Sequence, residues 1–464
     1  VRIPLLSGIY VDQGPDFRSA YPVNMVPVPK VSGIAEGYLR PAEGIVSSGT
    51  HPGEMRGGAE WKGVLYRVMG AEFVSIDVNG NVVVIGSIGG TGRVRMSYGF
   101  EYLSIASAGQ LWLYNGTTLA RITDPDLGVC VDAIWADGYY VSTDGEFIVV
   151  TELNDPFAVD PLKYGSAESD PDPIIALHRI RNEVYALNRN TIEVFSNTGG
   201  TGFPFERIPG AQIEKGAVGT HAACVFMGTL AFIGSGYNEA PSVYIAGNGT
   251  AQKIATREID VVLAGYTEEQ LAQAVVAGMV SSGHERLVVM LPNKTLVYDA
   301  AASSALEQPV WYCLSTSLNG AAAWSGFDLI WCYNRWNVGR VGTGQFGYLT
   351  DDISTHWGDT IGWEITTPIV YNDGRGMIIH DLELVALTGQ GGPNPLVSTS
   401  YSVDGVTWSQ PKWVSAGKPG QRTNRILWLQ QGSVRHWRIQ RFRGTSDTHI
   451  SPIRLEARVE PLAF

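Results

Sequence analysis

The densest grouping of reactive side-chain types in the sequence is RHWRIQRFRG, Arg435–Gly444, where cations alternate with aromatic and apolar residues. Such interleaving suits a single-stranded nucleic-acid platform, in which rings stack on bases and guanidinium groups meet phosphates. It equally suits a half-buried strand whose basic outer face meets an acidic protein surface. Alternation along a strand places Trp437 and Ile439 on one face and Arg438 and Gln440 on the other. An apolar anchor rimmed by cations favours protein contact over base contact. Trp437, Arg438, Arg441 and Arg443 are therefore the candidate partner-interface residues.

The other constellations carry less. SVDGVTW, Ser402–Trp408, resembles the Asp-box turn of sialidase propellers, but it is one residue short of SxDxGxTW spacing and occurs once. A hairpin turn with Thr and Trp on its second arm accounts for it without glycan chemistry. Asp351-Asp352 and the Asp170-Pro171-Asp172-Pro173 loop hold neighbouring carboxylates, yet neighbours in sequence do not flank a sugar ring from two sides. The histidines, among them His178, His221, His284 and His380, stand singly, without metal-ligand spacing. Gly89-Gly90-Thr91-Gly92 and Gly199-Gly200-Thr201-Gly202 have no following helix to hold a phosphate and read as loops. HExxH, GxSxG, Walker and Rossmann patterns are absent. Cys130, Cys224, Cys313 and Cys332 are widely spaced and read as buried free thiols. No catalytic, metal or cofactor site follows, and the chain is expected to be neither an enzyme nor cofactor-dependent.

The elements that position these residues are short strands. Charged residues are only 17% of the chain while glycine reaches 55 of 464, a balance suited to tight turns and broad strand faces. Asn-Gly or Asp-Gly pairs mark hairpins at Asn79, Asn115, Asp137, Asp144, Asn248, Asn319, Asp373 and Asp404. Between them lie units of similar pattern, such as IIALHRIRNEVYALNRNTIEVFS, starting roughly 35 to 60 residues apart. That period predicts an all-β chain with a β-propeller of about six or seven blades. A large hairpin sandwich without radial symmetry is the alternative.

Three regions are expected: an extended Pro-rich arm over 1–55, the propeller over 56–355, and a C-terminal β-sandwich-like domain over 356–464. The arm joins the last of these in a second β-rich domain. One inserted helix is expected near 267–278, where Thr267 and Gln270 have capping-box spacing. The opening apolar run is broken by Pro4, Ser7 and Gly8, and AAAWSGFDLIWCY by Gly326 and Asp328, so neither signal peptide nor membrane anchor is expected. From Ser400 onward ten basic side chains face four acidic ones, a net of +6 against −18 for the rest of a chain at −12. Such asymmetry points to partners.

Beyond these patterns, a set of segments is similar to the packaged-DNA stabilisation proteins of short-tailed phages, also described as tail hub or nozzle proteins. They include AYPVNMVP, GYLRPAEG, TGRVRMSYG, GQLWLYNG, IEVFSNTGG, QIEKGAVGTHAA, EAPSVYIAGNG, YTEEQLAQAV and LPNKTLVYDAAASS, in order over residues 20 to 315. Past about residue 355 the likeness fades.

The resemblance implies a virion structural protein, assembled in the host cytoplasm as a homohexameric ring that extends the portal-adaptor (head-to-tail connector) channel. It implies retention of packaged DNA and attachment of tailspikes or fibres and of a distal needle or plug. Double-stranded DNA would pass through without sequence-specific binding. The acid excess fits that picture, because an acidic wall repels phosphates and permits sliding. A glycan-binding or sialidase-like propeller is the rival from another class.

Overall fold

The computed structural model describes residues 2–3, 5, 8–11, 17–30, 37–153, 155–167, 171–200, 202–247, 249–372 and 375–462. The turn positions Asn248, Asp373 and Gly374, and Asp170 and Thr201, lie outside them. Strands account for 56% of the chain and helix for 5%, so the all-β expectation is met. The chain divides into two compact units: one of residues 47–279 and 326–348, the other of 1–46, 280–325 and 349–464.

In the first unit, antiparallel sheets follow one another along the chain. Their first strands are Met55–Trp61, Arg95–Tyr98, Asp132–Ala136, Ile174–Ile180 and Gly216–Ala217, the last followed in its sheet by Ala223–Phe226. A further sheet begins with Gly326–Cys332 and takes Gly44–Thr50 as its last strand, through Ser47–Thr50 in this unit. The apolar residues form separate cores, each between two consecutive sheets. Trp61, Tyr66 and Phe73 pack with Leu103 and Tyr114; Leu111 and Leu113 with Ala133 and Tyr140. Val141 and Ile148 pack with Leu177 and Phe195, and Tyr185 and Leu187 with Leu230 and Phe232. A two-layer sandwich has one slab-like core, whereas a core repeated between successive sheets is what radial blades produce.

The turns follow their residues in part. At Asp137-Gly138 both residues take positive φ, 49° and 95°, the type I′ geometry that joins Asp132–Ala136 to Tyr139–Thr143. The same geometry also occurs where neither Asn nor Asp leads, at Lys62-Gly63, Ala108-Gly109 and Met227-Gly228. There the trailing glycine and the strand pairing on either side hold the leading residue in the left-handed region, so a search for Asn-Gly and Asp-Gly misses them.

The expected helix near 267–278 is corrected. Thr267 and Gln270 do form the reciprocal capping box, but the helix ends at Leu271. Val275–Ser281 is instead a strand, and its β-branched valines and Gly278 disfavour continuing the helix. Two helices carried no expectation, Arg257–Ala264 in this unit and Ala300–Leu306 in the other.

The second unit holds the strands His284–Met290, Thr295–Asp299 and Trp311–Leu314 of a sheet whose fourth strand, Val275–Ser281, ends in this unit. It also holds two facing sheets. One is ordered Arg2–Ile3, Ser451–Pro461, Met377–Leu387, Ile426–Val434; the other Gly362–Thr366, Trp437–Thr445, Leu396–Ser402, Lys412–Ser415. Their shared core includes Ile379, Leu382, Trp428, Phe442 and Leu455. The alternation steps by three from Ile379 to Leu382 because a bulge between Ile379 and Asp381 adds one residue and restores the inward face. Gly444 lies opposite Trp363, and a Cβ there would meet the indole at 2.5 Å.

The N-terminal segment belongs to this unit: Leu5, Met25 and Leu39 are in the same core, as expected of a second domain shared with the arm. Asn24, with φ 53°, is 3% exposed and donates to the carbonyls of Ser315 and Gly362 while accepting from Ser315 N–H. These bonds add to the ladder that Met25–Pro29 makes with Gly37–Pro41.

Candidate partner interface

The strand Trp437–Thr445 is an interior strand, paired with Gly362–Thr366 on one side and Leu396–Ser402 on the other. Its backbone is therefore closed to strand addition, and only side chains can meet a partner. The structure separates the four candidate residues. Arg438 is 1% exposed, with Gln440 buried beside it on the face that Phe442 shares. The expectation that Arg438 and Gln440 form the outer face is thus overturned. Arg438 Nη1 donates to Gln431 O at 2.9 Å and its guanidinium lies 5.1 Å from the centre of the Tyr401 ring, while Nη2 has no hydrogen-bond partner. Burial lowers its pKa to about 10, partly offset by Tyr401.

Trp437, Arg441 and Arg443 are half-buried on the opposite face. Arg443 is the cross-strand partner of Glu364 and forms an ion pair with it. Arg441 Nε donates to Ser400 Oγ at 3.3 Å, and its guanidinium stacks 3.9 Å from the centre of the Trp408 ring. Burial lowers its pKa to about 10. Trp437 pairs across the ladder with the exposed Tyr371.

The basic character of the tail is weaker in three dimensions. Arg425 pairs with Glu383, Arg443 with Glu364 and Arg458 with Asp381, all acids that precede Ser400. Over residues 362–460 eleven basic side chains face eight acidic ones, a net of +3.

The Asp-box-like turn is locally satisfied. Asp404 accepts from the Thr407 hydroxyl, from the N–H groups of Thr407 and Val406, and from Ser402 Oγ, which together hold its carboxyl well below the usual range. Both carboxylate oxygens are thus engaged within the turn. All four cysteines are unpaired, and burial pushes the Cys224 thiol up to about 12. Among the described residues no group of three or more His, Cys, Asp or Glu is placed to hold a metal, and no helix is long and apolar enough to cross a membrane.

One constellation has no counterpart in the sequence reading. The first strands of successive sheets in the unit of residues 47–279 and 326–348 enclose a cavity of about 480 Å³, lined by Arg56, Arg93, Arg95, His178, Arg179 and His221 among others. Arg56 is buried and spends its donors on Gly70 O, Gly89 O, Thr91 O, Gly92 O and Ser107 Oγ, fixing the loop that the sequence marks only as glycine-rich. Arg93 lies 5.0 Å from the Phe327 ring centre and Arg179 5.0 Å from that of Trp135. Arg95 Nη2 lies 2.7 Å from His178 Nε2, and its Nε 3.5 Å from Asp132. Burial, and then the charges of Arg95 and Arg93, lower the His221 pKa to about 3. Burial and Arg95 hold His178 well below its usual value too. Both imidazoles are neutral at physiological pH.

Comparison with known proteins places these features. Residues 1–354 match the family described as Bacteriophage P22 Gp10, beta-propeller, and residues 362–460 the one described as Bacteriophage P22 Gp10, beta-sandwich. The tail hub protein gp10 of Salmonella phage P22 is 30% identical over 462 residues, 94% of this chain and 94% of its own length. Among solved structures, the computationally designed Ika8 protein aligns with a TM-score of 0.40 at 13% identity, covering 73% of this chain and 96% of its own. The N-terminal domain of Nup159 aligns with a TM-score of 0.42 at 8% identity, covering 69% and 97%.

Proposed function

This chain belongs to the Bacteriophage P22 Gp10 family, and from that premise we propose that it is a structural protein of a phage virion, built into the tail hub. The observation that carries the reading is the 30% identity to a tail hub protein through 94% of both chains. In the finer reading six copies form a ring that extends the portal-adaptor channel. The ring retains packaged DNA and seats tailspikes or fibres and a distal needle or plug. The net charge of −12 supports a wall that duplex DNA slides past, since phosphate capture by Lys and Arg would hold it through counterion release. Class-averaged electron micrographs of the purified chain added to connector-bearing, tail-deficient heads test this. Six-fold density with a central hole is expected at the connector, and single particles that never join the heads would overturn it.

Within this reading the half-buried face of Trp437–Thr445 is the surface that meets a neighbour, with Arg441, which Glu364 offsets only from beyond ion-pair distance, as its available cation. Arg441→Glu is expected to slow incorporation into tail-deficient particles by up to about tenfold at low salt, because rim charges act mainly on encounter. The difference should shrink at and above about 0.15 M salt, where the Debye length falls to about 8 Å. Unchanged incorporation at both salt levels would remove this face from the interface.

The glycan-directed alternative rests on SVDGVTW alone, and the internal bonding of Asp404 counts against it. Incubation with sialosides, polysaccharides or lipopolysaccharide is expected to release no product. Turnover that Asp404→Ala abolishes would reverse this conclusion.

A further inference from the structure

We propose that the cavity enclosed by the first strands of the successive sheets is a binding site for a compact oxyanion, a phosphate or carboxylate group carried by a small molecule. The proposal does not rest on the tail-hub reading. Its first support is charge balance. Asp328 is paired with the buried Arg67 at 3.2 Å, and Asp132 faces Arg95. Among the described residues no carboxylate lies within ion-pair distance of Arg56, Arg93 or Arg179; Asp328 and then the exposed Glu54 act on Arg93, and Glu54 on Arg56, only from farther away. Arg93 and Arg179 are therefore left without an ion-pair partner at one space, beside the buried charge of Arg56, whose donors are already spent, in a chain whose net charge is −12. Like charges brought together at a cost are retained where a counter-charge is received.

The second support is that the site is built. Arg56 stands in a bulge of its strand between Met55 and Gly57. Asp328 stands in another, between Phe327 and Ile330, with φ 60°, a conformation that a non-glycine residue adopts only when its surroundings enforce it. The Phe327 and Trp135 rings hold the Arg93 and Arg179 guanidiniums from one side, which orients their N–H edges without consuming them. Planar forks so presented match an oxyanion's paired oxygens. His178 and His221, kept neutral by burial first and by the neighbouring arginine charge second, lose the second of these obstacles to protonation once that charge is offset.

Size selects the carrier. A cavity of about 480 Å³ lies in the range of small-molecule sites, roughly 300 to 1,000 Å³, and is far too small for a duplex. Arg93 and Arg179 are solvent-exposed where they line the cavity, so a small anion reaches them from solution.

Calorimetric titration of the intact protein with pyrophosphate and, separately, citrate, against sodium chloride at matched ionic strength, tests the site. Saturable binding of one anion per chain by at least one of the two is expected, and the stronger arm identifies phosphate or carboxylate as the ligand chemistry. Arg93→Gln and Arg179→Gln should each weaken it about tenfold, the loss of one charge-assisted hydrogen bond. Arg179→Lys, which keeps the charge, should lose less. In histidine-labelled protein the ring resonances of His178 and His221 should move on addition of the binding anion, a readout that needs no variant. Absence of saturable binding in both arms, equal affinity in the Gln variants, or unmoved His178 and His221 resonances would each overturn the proposal.

Discussion

An Arg438→Glu chain is expected to lose about 3 to 5 kcal/mol of stability in the C-terminal unit, read as a drop of roughly 10 °C in its melting transition. The substitution places a carboxylate where the native side chain is 1% exposed and hydrogen-bonded to Gln431 O, an acceptor that a carboxylate can only repel. Among the described residues nothing on that face supplies a counter-ion, since Gln440 bonds to Thr399 and the Tyr401 ring offers its electron-rich face. Arg438→Gln keeps an N–H donor for Gln431 O and should lose only about 1 kcal/mol. The pH dependence has an unusual sign. Burial sets the folded pKa at about 10, below the ordinary 12.5, so between these values the unfolded chain binds the proton more tightly. The contribution of Arg438 is therefore constant at neutral pH and becomes more favourable as pH rises through 10. Circular dichroism melts of the wild type and the two variants check the order. A Glu variant as stable as the Gln variant would place this side chain outside the core.

The second large effect is expected at Glu43. Its carboxylate, 9% exposed, accepts from Arg286 Nη1 at 2.6 Å, Arg40 Nη2 at 2.8 Å and Ser281 Oγ at 3.2 Å. Arg286 is fully buried, and its other nearby carboxylate, Asp299, stands at 3.9 Å and is engaged by His284 at 2.7 Å. Glu43→Ala leaves that guanidinium without its closest counter-charge and should cost about 3 to 5 kcal/mol. Glu43→Gln keeps the acceptor oxygen, loses the charge, and should fall between. Burial works to raise the Glu43 pKa, but Arg286 and Arg40 outweigh it and hold the carboxyl below its ordinary value. The stabilisation is thus fully present above the unfolded pKa, about 4.3, and is lost as pH falls through the folded value. Urea titrations at pH 7 and at low pH check both parts: the gap between wild type and Glu43→Ala should narrow in acid. A gap independent of pH would assign the loss to packing alone.

What local residue chemistry determines in this protein is the kind of element and its order. Pairs such as Asp137-Gly138, through positive φ at both residues, and Asp144-Gly145, through the Asp144 carboxylate accepting from Glu146 and Phe147 N–H, mark hairpins locally. Low charge with many glycines and broad aromatic content suits tight turns and strand faces better than solvent-laced helices, and segments such as GYLRPAEG and QIEKGAVGTHAA carry the family. The capping box at Thr267 was legible for the same reason, since its bonds span three residues. Direction and convergence were not legible. A period of two says that Arg438 and Ile439 point opposite ways, but the inward face depends on which sheet packs against the strand, and here Arg438 lies inside. Charge counted along the chain places +6 on the tail, whereas pairing across the sheets brings Glu364, Asp381 and Glu383 to its arginines. The cavity arginines come from three different sheets, Arg56 and Arg179 being more than a hundred residues apart, so no spacing announces them. Local steric and hydrogen-bonding rules act over a few residues, and these sites exist only where the packing of sheets brings side chains distant in the chain together.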